Sequence, residues 1–214
     1  MILKIFLYGM IIAVIAAFVE ISISESFFVI SDKVIEDYSF LHFLLYSFLG
    51  IAFVEEFLKY LVVRQTVLKN SELDEPTDVM LYMIIAALGF AALENILVLF
   101  SGEKFFLWGE LFHRTIMISS LRFIGATFLH ALCAGTLGYF WALSIYETKK
   151  RTKLIISGLL IATFLHGLYN LFIIEMVRNP YFIWGPIIIL ITLAFFVSYG
   201  FKKLKRIKSI CKTT

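Results

Sequence analysis

The sequence predicts an all-α fold: a polytopic integral membrane helical bundle with a four-helix core around a polar centre. Composition is the first observation behind this. Hydrophobic residues make up 61% of the chain and charged residues 16%, against about 45–50% and about 25% in typical soluble domains. Mean hydropathy is +0.92. Patterning is the second: the apolar runs suffice for about six transmembrane helices of roughly 20 residues each. The third is what is missing. With three prolines, two cysteines and no low-complexity run, neither linkers nor a disulfide framework is expected. Residues 1–214 read as a single transmembrane domain, with core helices over 40–175 and peripheral helices over 2–19 and 181–201.

The first span, 2–19, is short and has Lys4 near its start like a signal sequence, but no small-x-small cleavage site follows the apolar run, so it reads as a retained anchor. Residues 20–39 are polar and acidic, with an apolar patch at Phe27, Phe28, Val29 and Ile30, and are expected along the interface. The second span, 40–63, carries Glu55, Glu56 and Lys59. Residues 64–76 form a charged loop containing Glu72, Asp74 and Glu75, and Pro76-Thr77-Asp78 is a helix start. The third span, 78–100, places Gly89 among Ala86, Ala87, Ala91 and Ala92, a small-residue surface that lets another helix approach closely. Residues 101–112, with Phe105, Phe106 and Trp108, have the aromatic character of a bilayer interface. The stretch 113–146 exceeds one simple span, so a break is expected near Ser120-Leu121-Arg122, with the fourth span over 122–146. A basic loop, 147–153, leads to the fifth span, 154–175. The sixth, 181–201, ends in a basic tail, 202–214.

Six spans put both termini on one side. Of the 19 Lys and Arg residues, thirteen lie at the N-terminus, after the second and fourth spans and in the tail. Four lie in the other loops, and the last two are Lys59 and Arg122. The positive-inside rule therefore expects both termini in the cytoplasm. The tail reads as a patch for anionic lipid headgroups. No feature suggests nucleic-acid binding.

Chemistry is expected where charge sits at membrane depth. A charged side chain there costs roughly 2.5–3.5 kcal/mol on insertion scales, and Glu55, Glu56 and Lys59 fall within one short run. Lys59 follows Glu55 by four residues and Glu56 by three, so on a helix it reaches both. The third span adds Glu94 and Asn95, the fourth His130 and Arg122, and the fifth His166 with Asn170 one turn later. The first and sixth spans are nearly free of charge and are expected outside this centre. At 1.5 Å per residue, His130 and His166 fall roughly 12 Å below the outer helix ends. Glu55 reaches that level only if the second span shifts to about 46–69.

Two readings of these groups stand side by side. Adjacent carboxylates such as Glu55 and Glu56 can divide the roles of general base and general acid. His130, His166 and Asn170 can then stabilise an oxyanion, which suits amide hydrolysis by an activated water. Alternatively His130, His166 and Glu94 or Glu56 bind a divalent metal such as zinc, with another Glu as base. No His-Glu-x-x-His helix favours the second, so the cofactor is either absent or a divalent ion. Structural readings compete: Glu55, Glu56 and Lys59 as an ion cluster, Glu94 and Asn95 as helix glue, Arg122 as an interfacial residue or counter-charge.

Glu55-Glu56-x-x-Lys59, Phe90-x-x-x-Glu94-Asn95, an isolated His130 with Gly135, and His166-x-x-x-Asn170 follow one another, one motif per helix. This order resembles the PrsW family of intramembrane proteases, related to the CAAX prenyl-protease and bacteriocin-immunity group. The resemblance covers about 50–170. The CAAX branch is less similar, with His where this chain has Glu94 and an Arg later than Lys59. The resemblance implies cleavage of a peptide bond in a membrane protein, in the family an anti-sigma factor cut on the outer side. It implies that Glu55, Glu56 and His130 are essential and that His166 supports them. It leaves glutamic and metal-dependent mechanisms both open. The rival classes are a proton-coupled transporter or channel and a non-catalytic membrane partner or immunity protein. A transporter is expected to show repeats or broken half-helices in both halves, which the sequence lacks.

Overall fold

The computed structural model describes residues 1–31, 39–67, 73–101, 110–176 and 178–207. The elements are α1 (Ile2–Ser31), α2 (Ser39–Leu45), a π-helical stretch (Tyr46–Phe53), α3 (Val54–Val67), α4 (Pro76–Ser101), α5 (Glu110–Tyr146), α6 (Arg151–Glu175) and α7 (Trp184–Leu204). Short 3-10 turns, Thr148–Lys150 and Pro180–Ile183, precede α6 and α7. No strand occurs among the described residues. That follows from the solvent: a bilayer offers no hydrogen-bond partners, so each spanning segment must satisfy its backbone internally. Glu72, Phe105, Phe106, Trp108, Lys208, Cys211 and Lys212 lie outside the described residues, as do the side chains of residues 27–30, His42, His113 and Arg122.

Among the described residues, five helical stretches are long and apolar enough to cross a membrane: Ile2–Ser24, Pro76–Val98, Phe123–Tyr146, Thr148–Glu175 and Pro180–Leu204. The expected second span is the α2–π–α3 run, set apart from those five by its three charges and its wide turn. Large apolar side chains such as Phe18, Phe128, Leu160, Phe164, Ile188 and Phe195 point outward, the inverse of a soluble protein and the arrangement that lipid favours.

Two boundaries differ from expectation. Helix α1 continues past Val19 to Ser31, because residues 20–31 contain no Gly or Pro to stop it. Helix α5 runs unbroken through Ser120-Leu121-Arg122 for 37 residues. Polar and charged residues there lower membrane affinity without breaking backbone hydrogen bonds. At 1.5 Å per residue α5 is about 55 Å long, far beyond a hydrocarbon core of about 30 Å, so only part of it crosses.

Helix α3 lies in the middle, touching α1, α4, α5 and α6. Its contact with α5 includes Tyr60 edge-on to Trp141, with ring centroids 5.2 Å apart. The expected small-residue surface on α4 receives α1. A Cβ on Gly89 would strike the Phe6 carbonyl, and one on Gly9 would strike the Ala86 carbonyl. The two glycines thus bring two backbones together reciprocally, the close approach on which helix association in lipid relies. Gly167 of α6 likewise accepts Phe48 of the π-helical stretch, whose ring carbons lie 2.6–2.9 Å from the position of a Cβ.

Backbone blocks both α1–α4 contacts, so Gly89→Val has no side chain to push aside. The expected outcome is a loss of about 1–3 kcal/mol or more, read as a lower melting temperature of the detergent-solubilised protein, with Gly9→Val behaving alike. An unchanged melting profile would contradict the packing.

Candidate active site

The site begins at the start of α3. The π-helical stretch, which closes i→i+5 hydrogen bonds and often marks functional positions, ends at Phe53. Glu55 and Glu56 then occupy the first turn of α3, and Lys59 sits one turn on. Lys59 Nζ donates to Glu55 Oε2 at 3.2 Å and to Glu56 Oε1 at 2.9 Å. It also lies 2.8 Å from His130 Nδ1 on α5. Glu56 and Lys59 are 0% exposed, and Glu55, His130 and His166 at most 3%. A lone ammonium at this depth would be prohibitive; here each of its directions meets an acceptor.

These partners assign the histidine protons. An ammonium has no acceptor to offer, so His130 Nδ1 is the accepting nitrogen and Nε2 carries hydrogen. Nε2 faces Glu94 Oε2 of α4 at 2.7 Å. His166 on α6 places Nδ1 2.9 Å from Glu56 Oε1, and since a carboxylate only accepts, Nδ1 donates. His166 Nε2 then looks toward Glu55 Oε2, 3.9 Å away. The two imidazoles stand edge to face, with centroids 5.0 Å apart. Glu56 Oε1 therefore takes two bonds while its Oε2, also buried, has no hydrogen-bond partner in the protein.

A cavity of about 500 Å³ opens onto this cluster. Glu55, Glu94, His130, His166 and Asn170 line it, whereas Glu56 and Lys59 are not among its lining residues. The paired carboxylates thus differ: Glu55 faces the cavity and Glu56 is held behind it. Asn95 points elsewhere, its Nδ2 donating to Thr127 Oγ1 at 3.1 Å, which ties α4 to α5 one residue beyond Glu94. The expectation that the first span stays outside does not hold at the cavity. Ala13, Ala16, Ala17 and Glu20 of α1 form one of its walls. Glu20 was hidden in the sequence because it follows the apolar run and reads as loop; its spacing of four from Ala16 was the available signal. Tyr169 also lines the cavity and had no signal beyond its position beside Asn170. No residue of α7 is among the lining.

The donor set has the chemistry of a metal centre. Glu55, Glu56, His130 and His166 each offer one ligand atom, all within 4.8 Å of one another, and mixed N and O ligands suit zinc. The unpartnered Glu56 Oε2 is a further available donor. Glu94 stands outside this group, on the opposite nitrogen of His130, where a carboxylate orients a ligating imidazole. Residue types and spacing therefore fit a divalent ion, although Lys59 already bonds three of the four residues.

Comparison with known proteins agrees with this geometry. The family model described as PrsW family intramembrane metalloprotease matches residues 1–200. The chain is 32% identical to Protease PrsW of Geobacillus kaustophilus over 136 residues, 64% of this chain and 55% of that protein. It is 26% identical to Protease PrsW of Oceanobacillus iheyensis, covering 89% of this chain and 78% of that protein. With Protease PrsW of Clostridioides difficile it shares 25% identity over 95% of this chain and 78% of that protein. No solved structure matches. A buried Glu-Glu-Lys cluster, two histidines from separate helices and a match that runs through all of them place this chain in the PrsW family of intramembrane proteases.

Proposed function

We propose that the protein is an endopeptidase that hydrolyses a peptide bond of a membrane protein inside the cavity, with Glu55 as the base that activates water. The observation that carries this reading is the asymmetry of the carboxylate pair. Lys59 bonds both, but Glu55 lines the cavity with both histidines and Asn170, while Glu56 lies outside the lining and accepts from His166.

Glu55 takes a proton from the water, whose oxygen adds to the scissile carbonyl carbon. Asn170 offers its amide N–H groups to the oxyanion, a kind of contact worth about 10²–10³ in rate. As the C–N bond breaks, the proton held by Glu55 passes to the leaving nitrogen. His166, fixed through Nδ1 by Glu56, keeps Nε2 turned toward Glu55 and steadies that proton. His130 has both nitrogens engaged, by Lys59 and Glu94, and acts by holding the Glu55 side of the centre in place. Where a divalent ion is bound, His130, His166 and Glu55 or Glu56 would hold it, and it would polarise the carbonyl and acidify the water.

Transport is less favoured. Among the described residues only Tyr46–Phe53 departs from α-helix inside a long apolar run, whereas transporters interrupt helices in both halves. The distribution of Lys and Arg supports cytoplasmic termini, with the tail against anionic headgroups. The family resemblance supports a substrate of the anti-sigma-factor kind.

Glu55→Gln keeps the shape of the side chain and removes the base. Cleavage of a membrane-protein substrate in proteoliposomes should fall by about 10³-fold or more in folded protein whose melting temperature is lowered by the loss of one charged partner of Lys59; cleavage at the wild-type rate would rule out the assignment. Asn170→Ala should lower kcat by about 10²-fold with little change in KM, and a purely KM effect would argue for substrate binding instead. Glu56→Leu alone should cost about 3–5 kcal/mol, because it strands the Lys59 ammonium, and Glu56→Leu with Lys59→Met should recover most of that loss. Thermal unfolding of the three variants checks this, and additive losses would mean that the two groups are not coupled.

A further inference from the structure

We propose that Lys59 is the built-in competitor of a metal ion at this centre: its ammonium and a divalent cation require the same acceptors, so only one of them is seated at a time. The proposal concerns the donor set and holds whether or not the chain cleaves peptides.

Geometry carries it. The four residues whose ligand atoms cluster within 4.8 Å are Glu55, Glu56, His130 and His166. Lys59 Nζ lies 3.2 Å from Glu55 Oε2, 2.9 Å from Glu56 Oε1 and 2.8 Å from His130 Nδ1. The fourth residue, His166, donates to the same Glu56 Oε1 that Lys59 holds. A cation tethered to α3 thus already bonds three of the four residues of the ligand set. Two cations sharing acceptors over such distances repel strongly in a medium with little water. A metal that takes His130 Nδ1 as a ligand must displace Nζ from that nitrogen.

A displaced ammonium needs a partner that a metal does not take, and Phe90 already touches it in the seat it fills. Nζ is 4.3 Å from the centroid of the Phe90 ring, within the range of a cation–π contact. Phe90 is 2% exposed and packs with Ala13 and Ala16 of α1, so the ring is a fixed platform. A small swing of the Lys59 side chain toward Phe90 releases the carboxylates without exposing a bare charge to lipid. With Lys59 as competitor, the apparent metal affinity is the intrinsic affinity multiplied by the fraction of molecules in which its seat is empty.

The test is zinc binding to the purified full chain in detergent, by competition with a fluorescent chelator and by elemental analysis, with no substrate present. Lys59→Met keeps the length of the side chain and removes its charge. It should bind one zinc per chain about tenfold or more tightly than the wild type, and adding His130→Ala should abolish that site. Lys59→Arg keeps a cation in place and should bind no more tightly than the wild type. Equal affinity in the wild type and Lys59→Met, or a tight site that survives His130→Ala, would overturn the proposal. Should Lys59→Met fail to fold, Lys59→Gln decides: a neutral side chain at the same position should also bind zinc more tightly than the wild type, and unchanged affinity overturns the idea. Because the readout is metal bound rather than peptide cut, a negative result here leaves the hydrolytic reading standing, and the reverse.

Discussion

A single ammonium at membrane depth governs this structure. Lys59 is fully buried, and a buried charge is tolerable only when its donors are met. Two of its acceptors come from its own helix, one turn back, which any α-helix provides. The third, His130 Nδ1, must come from another helix, so α5 is held at a set height and rotation against α3. His130 in turn reaches Glu94 on α4, and Glu56 reaches His166 on α6. One cation thereby organises four helices through a connected set of polar contacts, each of which leaves its neighbour exposed to an uncompensated charge if it is removed.

The cavity is the other half of the design and depends on small residues. Gly9 and Gly89 bring α1 against α4 at one level, while Ala13, Ala16 and Ala17 line the open space further along the same helix. Close contact at one end and short side chains beyond it leave a void between α1 and the polar cluster. Glu20 closes that wall. The π-helical stretch serves the same end from the other direction: its wider turn precedes Glu55 directly and sits against Gly167 of α6, one residue after His166. The carboxylates and the second histidine are thus positioned by adjoining contacts.

This arrangement separates roles that look equivalent along the chain. Glu55 and Glu56 are neighbours, yet consecutive helical residues point about 100° apart. One carboxylate therefore meets the cavity and the other meets His166, while Lys59 bonds both. The cavity-facing carboxylate and its buried neighbour come from one turn of one helix. The same turn carries the cation that holds both.

The order of the polar residues and the all-helical class were legible in the chain, because burying charge in an apolar run is costly in any fold and lipid permits few backbone solutions. Glu55, Glu56, Lys59, Glu94, His130, His166 and Asn170 could be gathered on that ground alone, as could the small-residue face of α4. Three things required the assembled helices. Glu20 joins the cavity because α1 runs on as helix, and α5 passes Ser120-Leu121-Arg122 without a break; polarity marks where a chain prefers water, and it does not stop a helix. Asn95 binds Thr127 rather than the cluster, a matter of which way one face of α4 turns. The difference between Glu55 and Glu56 depends on the rotation of α3 among four neighbours, which is set by contacts between residues far apart in the chain and so has no local signature.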